Sequence, residues 1–139
     1  MKASHLYRIA SILMVLFAAG HTWGFRQGDP QWHADAVIQS MQSFHFNATG
    51  FDRTYWDFFV GFGLFVTVLM LFAALIAWQL GSLPPETLAR MRVGAWGFVA
   101  CFAAVAWLSW HYFFWIPVVF SIVILICLAS AAWLSHTPR

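Results

Sequence analysis

Residues 54–80 read "TYWDFFVGFGLFVTVLMLFAALIAWQL", and the only charged side chain in this stretch is Asp57, close to its start. A helix needs about 20 predominantly apolar residues to cross the hydrocarbon core of a bilayer. The apolar run that follows Asp57 is longer than that. The stretch therefore predicts a membrane-spanning helix that begins near Thr54.

Three further stretches have the same character: residues 8–25, 93–111 and 116–135. In the whole chain of 139 residues, 62% are hydrophobic and 9% are charged, whereas soluble globular proteins carry about 25% charged residues. We therefore expect an all-α membrane protein with one domain, residues 1–139, folded as an antiparallel bundle of four transmembrane helices. The basic start and apolar run of residues 1–20 also suit a signal peptide, but we expect the first spanning helix there.

The positive charges are distributed unequally between the two sides of a four-pass topology. One side receives five basic residues: Lys2, Arg8, Arg90, Arg92 and Arg139. The other side receives two basic and three acidic residues: Arg26, Arg53, Asp29, Asp35 and Asp52. Because cytoplasmic segments are enriched in Lys and Arg, we expect an inner (plasma) membrane protein with both termini in the cytoplasm. The net charge of +2 reflects this asymmetry, so nucleic acid is not an expected partner.

The segment between the first two spans, residues 26–53, is longer than an ordinary connection. Within it, "PQWHADAVIQSMQSFHF" (30–46) places these residues near one helical face: Trp32, Ala36, Val37, Ser40, Met41 and Phe44. Pro30 suits the first turn of a helix, and Asp29 suits its cap. We expect a short amphipathic helix that lies on the outer surface of the membrane.

Small residues and cysteines suggest how the helices pack. Glycines occur in close pairs in three of the spans: Gly20 and Gly24, Gly61 and Gly63, and Gly94 and Gly97. Such pairs let helices approach closely, so we expect tight packing at these positions. Cys101 and Cys127 form no CxxC pair, and we expect both to be small buried apolar residues.

Polar side chains gather at one end of the predicted bundle. His21, Arg53, Asp57 and His111 all lie near the outer ends of their spans, together with aromatic neighbours that include Trp23 and Tyr55. An ionisable group at membrane depth is a functional candidate because placing it there is costly. The pattern predicts a ligand site built from His21, Asp57, His111, Arg53, Tyr55 and Trp23.

Each member of this set also has a purely structural interpretation. "TYWD" (54–57) matches a capping box, in which Asp57 bonds back to Thr54, and Arg53 is four residues from Asp57 and suits an ion pair. His21 suits a buried histidine bonded to a neighbouring carbonyl or to Asp57. His111 suits an interfacial residue among headgroups.

Three chemistries fit the predicted site. The leading hypothesis is a pocket in the outer leaflet that binds a lipid-like or quinone-like molecule, with His21 and Asp57 orienting its head. One alternative is a redox protein that binds haem through His21 and His111, or a metal ion through His21, His111 and Asp57. Another alternative is an accessory subunit without a site, which packs through its glycines as a homo-oligomer or beside another membrane protein. Enzymatic activity stays open.

Several blocks resemble a family of small, uncharacterised four-helix bacterial membrane proteins. They are "LYRIA", "FAAGHTWGF", "DRTYWDFFVGFGL", "AWQLG" and "YFFWIPVVFS". The resemblance covers nearly the whole chain and implies a four-helix membrane fold. In layout the chain is also similar to the DoxX-like group, some members of which serve quinone-linked oxidation. That similarity implies quinone or redox chemistry as an expectation.

Overall fold

The computed structural model describes residues 2–27 and 30–136, and the described chain is mostly helical. Four long helices are α1 (Ala3–Gly24), α3 (Tyr55–Ser82), α5 (Arg92–Tyr112) and α6 (Trp115–His136). The shorter elements are a 3₁₀ turn (Pro30–Trp32), α2 (Asp35–Ser43), β1 (His45–Ala48), β2 (Phe51–Thr54) and α4 (Pro85–Arg90). The four long helices are each long and apolar enough to cross a membrane. The expected all-α class is therefore confirmed, with one small hairpin added.

The described chain divides into two compact units. The first consists of the described residues of Met1–Phe17 and Met70–Arg139, and the second is Ala18–Leu69. In the first unit, α5 and α6 pack along each other and α4 packs on α6. Its buried residues recur at helical spacing, as α6 shows with Val118, Ser121, Ile124, Cys127, Leu128, Ala131 and Ala132. One face of each helix therefore forms the core, and many of the opposite faces expose large apolar side chains.

Within the first unit, α1 lies directly against α3 and runs in the opposite direction. A Cβ atom on Gly81 would lie 2.9 Å from the carbonyl oxygen of Ser4. Further along, the buried Ser11 hydroxyl donates a hydrogen bond of 2.7 Å to the Ala74 carbonyl. Small residues at these contacts let the two backbones approach closely.

We predict that Gly81→Ala destabilises the protein. The added methyl group would press on a main-chain oxygen, which cannot rotate away as a side chain can, and such overpacking costs about 1–3 kcal/mol. Gly61→Ala is the matched control, because a Cβ atom there meets no atom within 4 Å. Thermal unfolding in detergent micelles, followed by circular dichroism, measures the difference. Equal melting temperatures for the two variants would contradict the close contact.

The segment before α3 is only partly the amphipathic helix that the sequence predicts. The helix does not continue from the turn at Pro30–Trp32, because His33 has a positive φ of 48°, which is outside the helical region. α2 begins at Asp35, and its N-cap, Ala34, offers no side-chain hydrogen bond. The predicted cap, Asp29, lies outside the described residues, as does Arg139.

The hairpin β1–β2 is absent from the sequence prediction. Its strands pair antiparallel, with Ala48 opposite Phe51, so Thr49 and Gly50 form a two-residue turn. Both have positive φ, 51° and 97°, which matches the type I′ turn that suits the twist of a hairpin. The Gly50 amide also donates to the Asn47 side chain at 2.6 Å. These local bonds determine the path of the chain into α3.

The glycine and cysteine predictions need correction. A Cβ atom would meet nothing within 4 Å at five of the six paired glycines, namely Gly20, Gly24, Gly61, Gly94 and Gly97. Only Gly63 of that set is at a close contact, and Gly81 is another close position that the pairing rule missed. Cys127 is buried as expected, whereas Cys101 is exposed.

Candidate functional site

His21 is a partly buried residue of α1 that binds the backbone of α3 within the second unit. Its Nε2 lies 3.0 Å from the carbonyl oxygen of Gly63. A carbonyl oxygen only accepts hydrogen bonds, so Nε2 must carry the proton and donate it. The interpretation of His21 as a histidine bonded to a neighbouring carbonyl is therefore confirmed.

Two threonines extend this contact into a small polar network between α1 and α3. The hydroxyls of Thr22 and Thr67 lie 2.9 Å apart. The Thr22 hydroxyl lies 2.7 Å from the Ala18 carbonyl oxygen, and the Thr67 hydroxyl lies 3.3 Å from the Gly63 carbonyl oxygen. Each hydroxyl has one proton to donate, so when Thr22 donates to Ala18 the Thr67 proton is shared between the Thr22 hydroxyl and the Gly63 carbonyl. Polar groups that would be costly in an apolar environment satisfy one another here.

The ring of Phe25 explains why position 63 is a glycine. His21 stacks on Phe25 with ring centroids 5.0 Å apart, and Phe25 also packs against Phe59. A Cβ atom on Gly63 would lie 2.8 Å from Cζ of Phe25. The second glycine of "GHTWGF" is not at such a contact, because Gly24 faces open space.

We predict that His21→Phe weakens the fold modestly. Phenylalanine keeps a flat ring beside Phe25 but loses the Nε2 proton, and hydrogen bonds between membrane helices contribute about 0.6 kcal/mol on average and up to about 1.7. His111→Phe is the control, because it makes the same chemical change at an exposed position of α5. Chemical or thermal unfolding in micelles should show a loss for His21→Phe alone. A wild-type stability for His21→Phe would mean that the contact with Gly63 contributes nothing.

Asp57 forms the capping box that "TYWD" predicts. Its Oδ2 accepts from the Thr54 amide at 2.8 Å and from the Thr54 hydroxyl at 3.0 Å. In return the Asp57 amide donates to the Thr54 hydroxyl at 3.1 Å. The carboxylate hydrogen bonds of Asp57 that the described residues make all use Oδ2. The other carboxylate oxygen, Oδ1, accepts no hydrogen bond from the described residues.

Asp57 also borders a shallow groove on one face of α3. The groove has a volume of about 250 Å³ and is lined by Arg53, Asp57, Phe58, Gly61, Phe62 and Phe65. We call this the α3 groove. Its charged residues are at one end, on the last residues of β2 and the first turn of α3, and its apolar residues follow along the helix. It thus has the polar end and apolar body that an amphipathic molecule requires.

The α3 groove and the His21 contact lie on different faces of α3. Successive helical residues rotate by about 100°, so Gly61 and Phe65 are each about 200° from Gly63. His21 therefore contacts the face opposite the groove. Asp57 also lies about 9 Å from Gly63 along the axis, because each residue rises 1.5 Å. A headgroup held jointly by His21 and Asp57 does not follow from this geometry.

At the charged end of the α3 groove, Arg53 has more N–H donors than its bonds to the described residues use. Its Nη1 donates to the Asp52 carbonyl at 2.7 Å, and its guanidinium group lies 5.3 Å from the centroid of the Phe51 ring. A guanidinium group carries five N–H donors, so one backbone bond leaves most of them for a ligand. Among the described residues Arg53 forms no close ion pair with Asp57, although the two charges interact electrostatically at the same end of the groove.

A series of aromatic rings connects the hairpin to the α3 groove. Phe46 packs on Tyr55 and Phe58, with centroid distances of 4.9 and 5.8 Å. The series continues from Phe58 to Phe62 at 6.3 Å and from Phe62 to Phe65 at 6.4 Å. The hairpin therefore stabilises the rings of the groove that lie nearest the start of α3. Tyr55, a predicted site residue, supports the groove without lining it.

The remaining predicted site residues, Trp23 and His111, are not among the residues that line the α3 groove. Trp23 is 75% exposed. His111 belongs to the first unit, where it stacks on Trp107 at 5.5 Å and meets the edge of Tyr112 at 4.7 Å. Among residues 2–27 and 30–136, no three His, Cys, Asp or Glu side chains form a group that could hold a metal ion. This geometry gives no support to the metal alternative, which stays a prediction.

Comparison of the chain with protein-family models, curated proteins and solved structures finds no match. The predicted resemblance to small four-helix bacterial proteins, and to the DoxX-like group in layout, thus stays a prediction. Any function assigned to this chain must be argued from its own residues.

Sequence reasoning missed three parts of the site. It found Arg53 and Asp57 but not the phenylalanines at positions 58, 62 and 65, which are three or four residues apart and so share one helical face. That spacing was a usable signal in a stretch so rich in aromatic residues. The hairpin and the Gly63 carbonyl gave weaker sequence signals, because a sequence does not show which backbone groups form hydrogen bonds.

Proposed function

We propose that this protein is a multi-pass protein of the inner (plasma) membrane, folded as an antiparallel four-helix bundle with both termini in the cytoplasm. The proposal is supported by four apolar helices and by the excess of arginine and lysine in the segments assigned to the cytoplasm. Residues 26–53, with α2 and the hairpin, then lie on the outer side. The bilayer itself is the first partner of the protein.

Cysteine labelling tests this topology. In a Cys101→Ala, Cys127→Ala background, Gln42→Cys in α2 should react with a membrane-impermeant maleimide added to intact spheroplasts. Thr87→Cys in α4 is the matched control, and it should react only after the membrane is permeabilised. Both positions are exposed in the structure. The reverse pattern would contradict the orientation, and release of the protein by alkaline extraction would contradict membrane integration.

We infer that the protein binds an amphipathic, lipid-like molecule in the α3 groove. One observation carries this inference: opposite charges, on Arg53 and Asp57, stand at one end of a groove whose remaining lining is phenylalanine and Gly61. Ligand pockets are generally apolar, with a few polar groups that orient the ligand. The apolar body of the molecule would lie along Phe58, Phe62 and Phe65.

The charges at the groove mouth favour a zwitterionic head. A guanidinium group binds phosphate through paired N–H donors, and the exposed carboxylate oxygen of Asp57 would accept from an ammonium group. Phosphatidylethanolamine combines these two groups. A quinone offers only carbonyl oxygens, which suit Arg53 but give Asp57 no donor. The quinone-like ligand is therefore the second choice for the same groove.

The haem alternative has less support. His21 already donates Nε2–H to the Gly63 carbonyl, so iron ligation by that nitrogen would require the bond to break and the proton to leave. The accessory-subunit alternative is favoured by one observation, which is that Gly20, Gly24, Gly94 and Gly97 face open space. Homo-oligomerisation or association with another membrane protein would cover them. This remains the competing proposal.

We predict that Gly61→Leu abolishes or strongly weakens binding of phosphatidylethanolamine. The leucine side chain would fill the groove, while leucine itself favours a helix. Gly94→Leu is the control, because it adds the same side chain at another open glycine of a long helix. Native mass spectrometry of the protein in micelles should show a loss of affinity of about tenfold or more, which is about 1.4 kcal/mol, for Gly61→Leu only.

The same experiment separates the alternatives. Lipid extracts of the purified wild type and of both variants are compared by mass spectrometry. A quinone that is retained by wild type and Gly94→Leu, but lost from Gly61→Leu, would replace the phospholipid in the same groove. Equal phosphatidylethanolamine affinity in all three proteins, with no other retained molecule, would overturn the binding proposal and favour the accessory role.

A further inference from the structure

A second groove lies in the first unit, between α1 and α3. Its volume is about 480 Å³, and it is lined by Ser11, Ile12, Val15, Leu16, Leu71, Ala74, Leu75 and Trp78. We call this the α1–α3 groove. Residues 71–78 rise by about 10 Å along the helix axis.

The surface of the α1–α3 groove is almost entirely apolar. Two of its polar groups satisfy each other, because the Ser11 hydroxyl donates to the Ala74 carbonyl at 2.7 Å, and the indole N–H of Trp78 is a further donor in its lining. Leu75 is 60% exposed and Leu16 is 55% exposed, so the groove opens along the outside of the helix pair. A groove lined mostly by aliphatic side chains suits a hydrocarbon chain.

A cation lies over Trp78, one of the residues that line the α1–α3 groove. The guanidinium group of Arg8 lies 5.4 Å from the centroid of the Trp78 ring, close enough for a cation–π contact. Gly81 has no side chain, so the Arg8 stem lies against α3; a Cβ atom there would be 3.1 Å from Cγ of Arg8. The ion pair of the described residues is His45–Asp52, so no described carboxylate neutralises Arg8.

Other charges at this end of α1 and α3 are also mostly positive. Lys2 precedes α1. α4 begins two residues after the end of α3, and Arg90 and Arg92 lie where α4 ends and α5 begins. Glu86 in α4 is the acidic residue among them. The polar end of the groove therefore lies in a region of net positive charge.

We propose that the α1–α3 groove binds one acyl chain of an anionic phospholipid, with the lipid phosphate at Arg8. The occupant follows from charge complementarity and from the apolar groove lining. In the proposed topology Arg8 lies at the cytoplasmic surface, where anionic headgroups attract arginine and lysine. The inference rests on the membrane location proposed above, and it is independent of the α3 groove.

Native mass spectrometry with two lipids tests the charge part of the proposal. Phosphatidylglycerol and phosphatidylcholine with the same acyl chains are titrated into the protein in micelles. Wild type should bind phosphatidylglycerol more tightly. Arg8→Gln should weaken phosphatidylglycerol about fivefold, since one cation near an anionic headgroup has an effect of that order. It should weaken phosphatidylcholine less, because the choline cation offsets the charge of the phosphate. Arg92→Gln is the matched control. It removes the same charge from the same end but not from the groove, so it should weaken phosphatidylglycerol clearly less than Arg8→Gln does.

A second pair of variants tests the groove itself. Leu75→Trp should fill it and weaken both lipids, whereas Leu69→Trp makes the same substitution at an exposed residue of α3 outside both grooves. If Leu75→Trp is not monodisperse in size-exclusion chromatography, the comparison of Arg8→Gln with Arg92→Gln still tests the proposal. Equal losses in those two would indicate general surface charge and overturn the site, as would equal affinity of wild type for the two lipids.

The outcomes are distinguishable from failure of the proposed function. A protein that fails the cysteine-labelling test loses both proposals. A protein that passes it, and responds to Gly61→Leu with phosphatidylethanolamine but not to Arg8→Gln with phosphatidylglycerol, loses only this one. Loss of phosphatidylglycerol binding in Gly61→Leu would mean that both lipids use the α3 groove, which also overturns the inference.

Discussion

The close contact of α1 with α3 is the constraint on which both units depend. In the first unit, Gly81 lets the Ser4 carbonyl and the Arg8 stem lie against α3. In the second, Gly63 makes room for the Phe25 ring and presents its carbonyl oxygen to His21. Helices in an apolar environment gain little from hydrophobic association, so close backbone approach and satisfied hydrogen bonds must hold them together. At each of these contacts a missing Cβ atom makes the approach sterically allowed.

This constraint separates structural polar groups from those that remain available to a ligand. Between α1 and α3, four side chains form hydrogen bonds with carbonyl oxygens or with one another: His21, Thr22, Thr67 and Ser11. Arg53, Asp57 and Arg8 retain exposed donors or acceptors beside apolar grooves. The side chains that remain available to a ligand are therefore charged groups at the ends of grooves. Such an arrangement supports the proposed binding of amphipathic molecules.

Sequence reasoning predicted local features well. The capping box at Thr54 and Asp57 was predictable because it involves residues three apart in one turn. The four long helices were predictable because apolar length alone distinguishes them. The hairpin at residues 45–54 was not, because the prediction treated residues 30–46 as one helical stretch, which includes His45 and Phe46 of β1. The paired glycines misled the prediction, since spacing says nothing about which side of a helix a neighbour occupies.

The sequence by itself determined the class of structure, since a chain that is 62% hydrophobic and 9% charged has too few polar residues to cover a soluble surface. It also determined the charge asymmetry between the ends of its helices. Only the tertiary structure decided that His21 binds Gly63 while Asp57 faces a groove on the opposite side of α3. The reason is rotational: positions that share a depth in a helix are distributed around its axis, and only the packing partner determines which side each one faces.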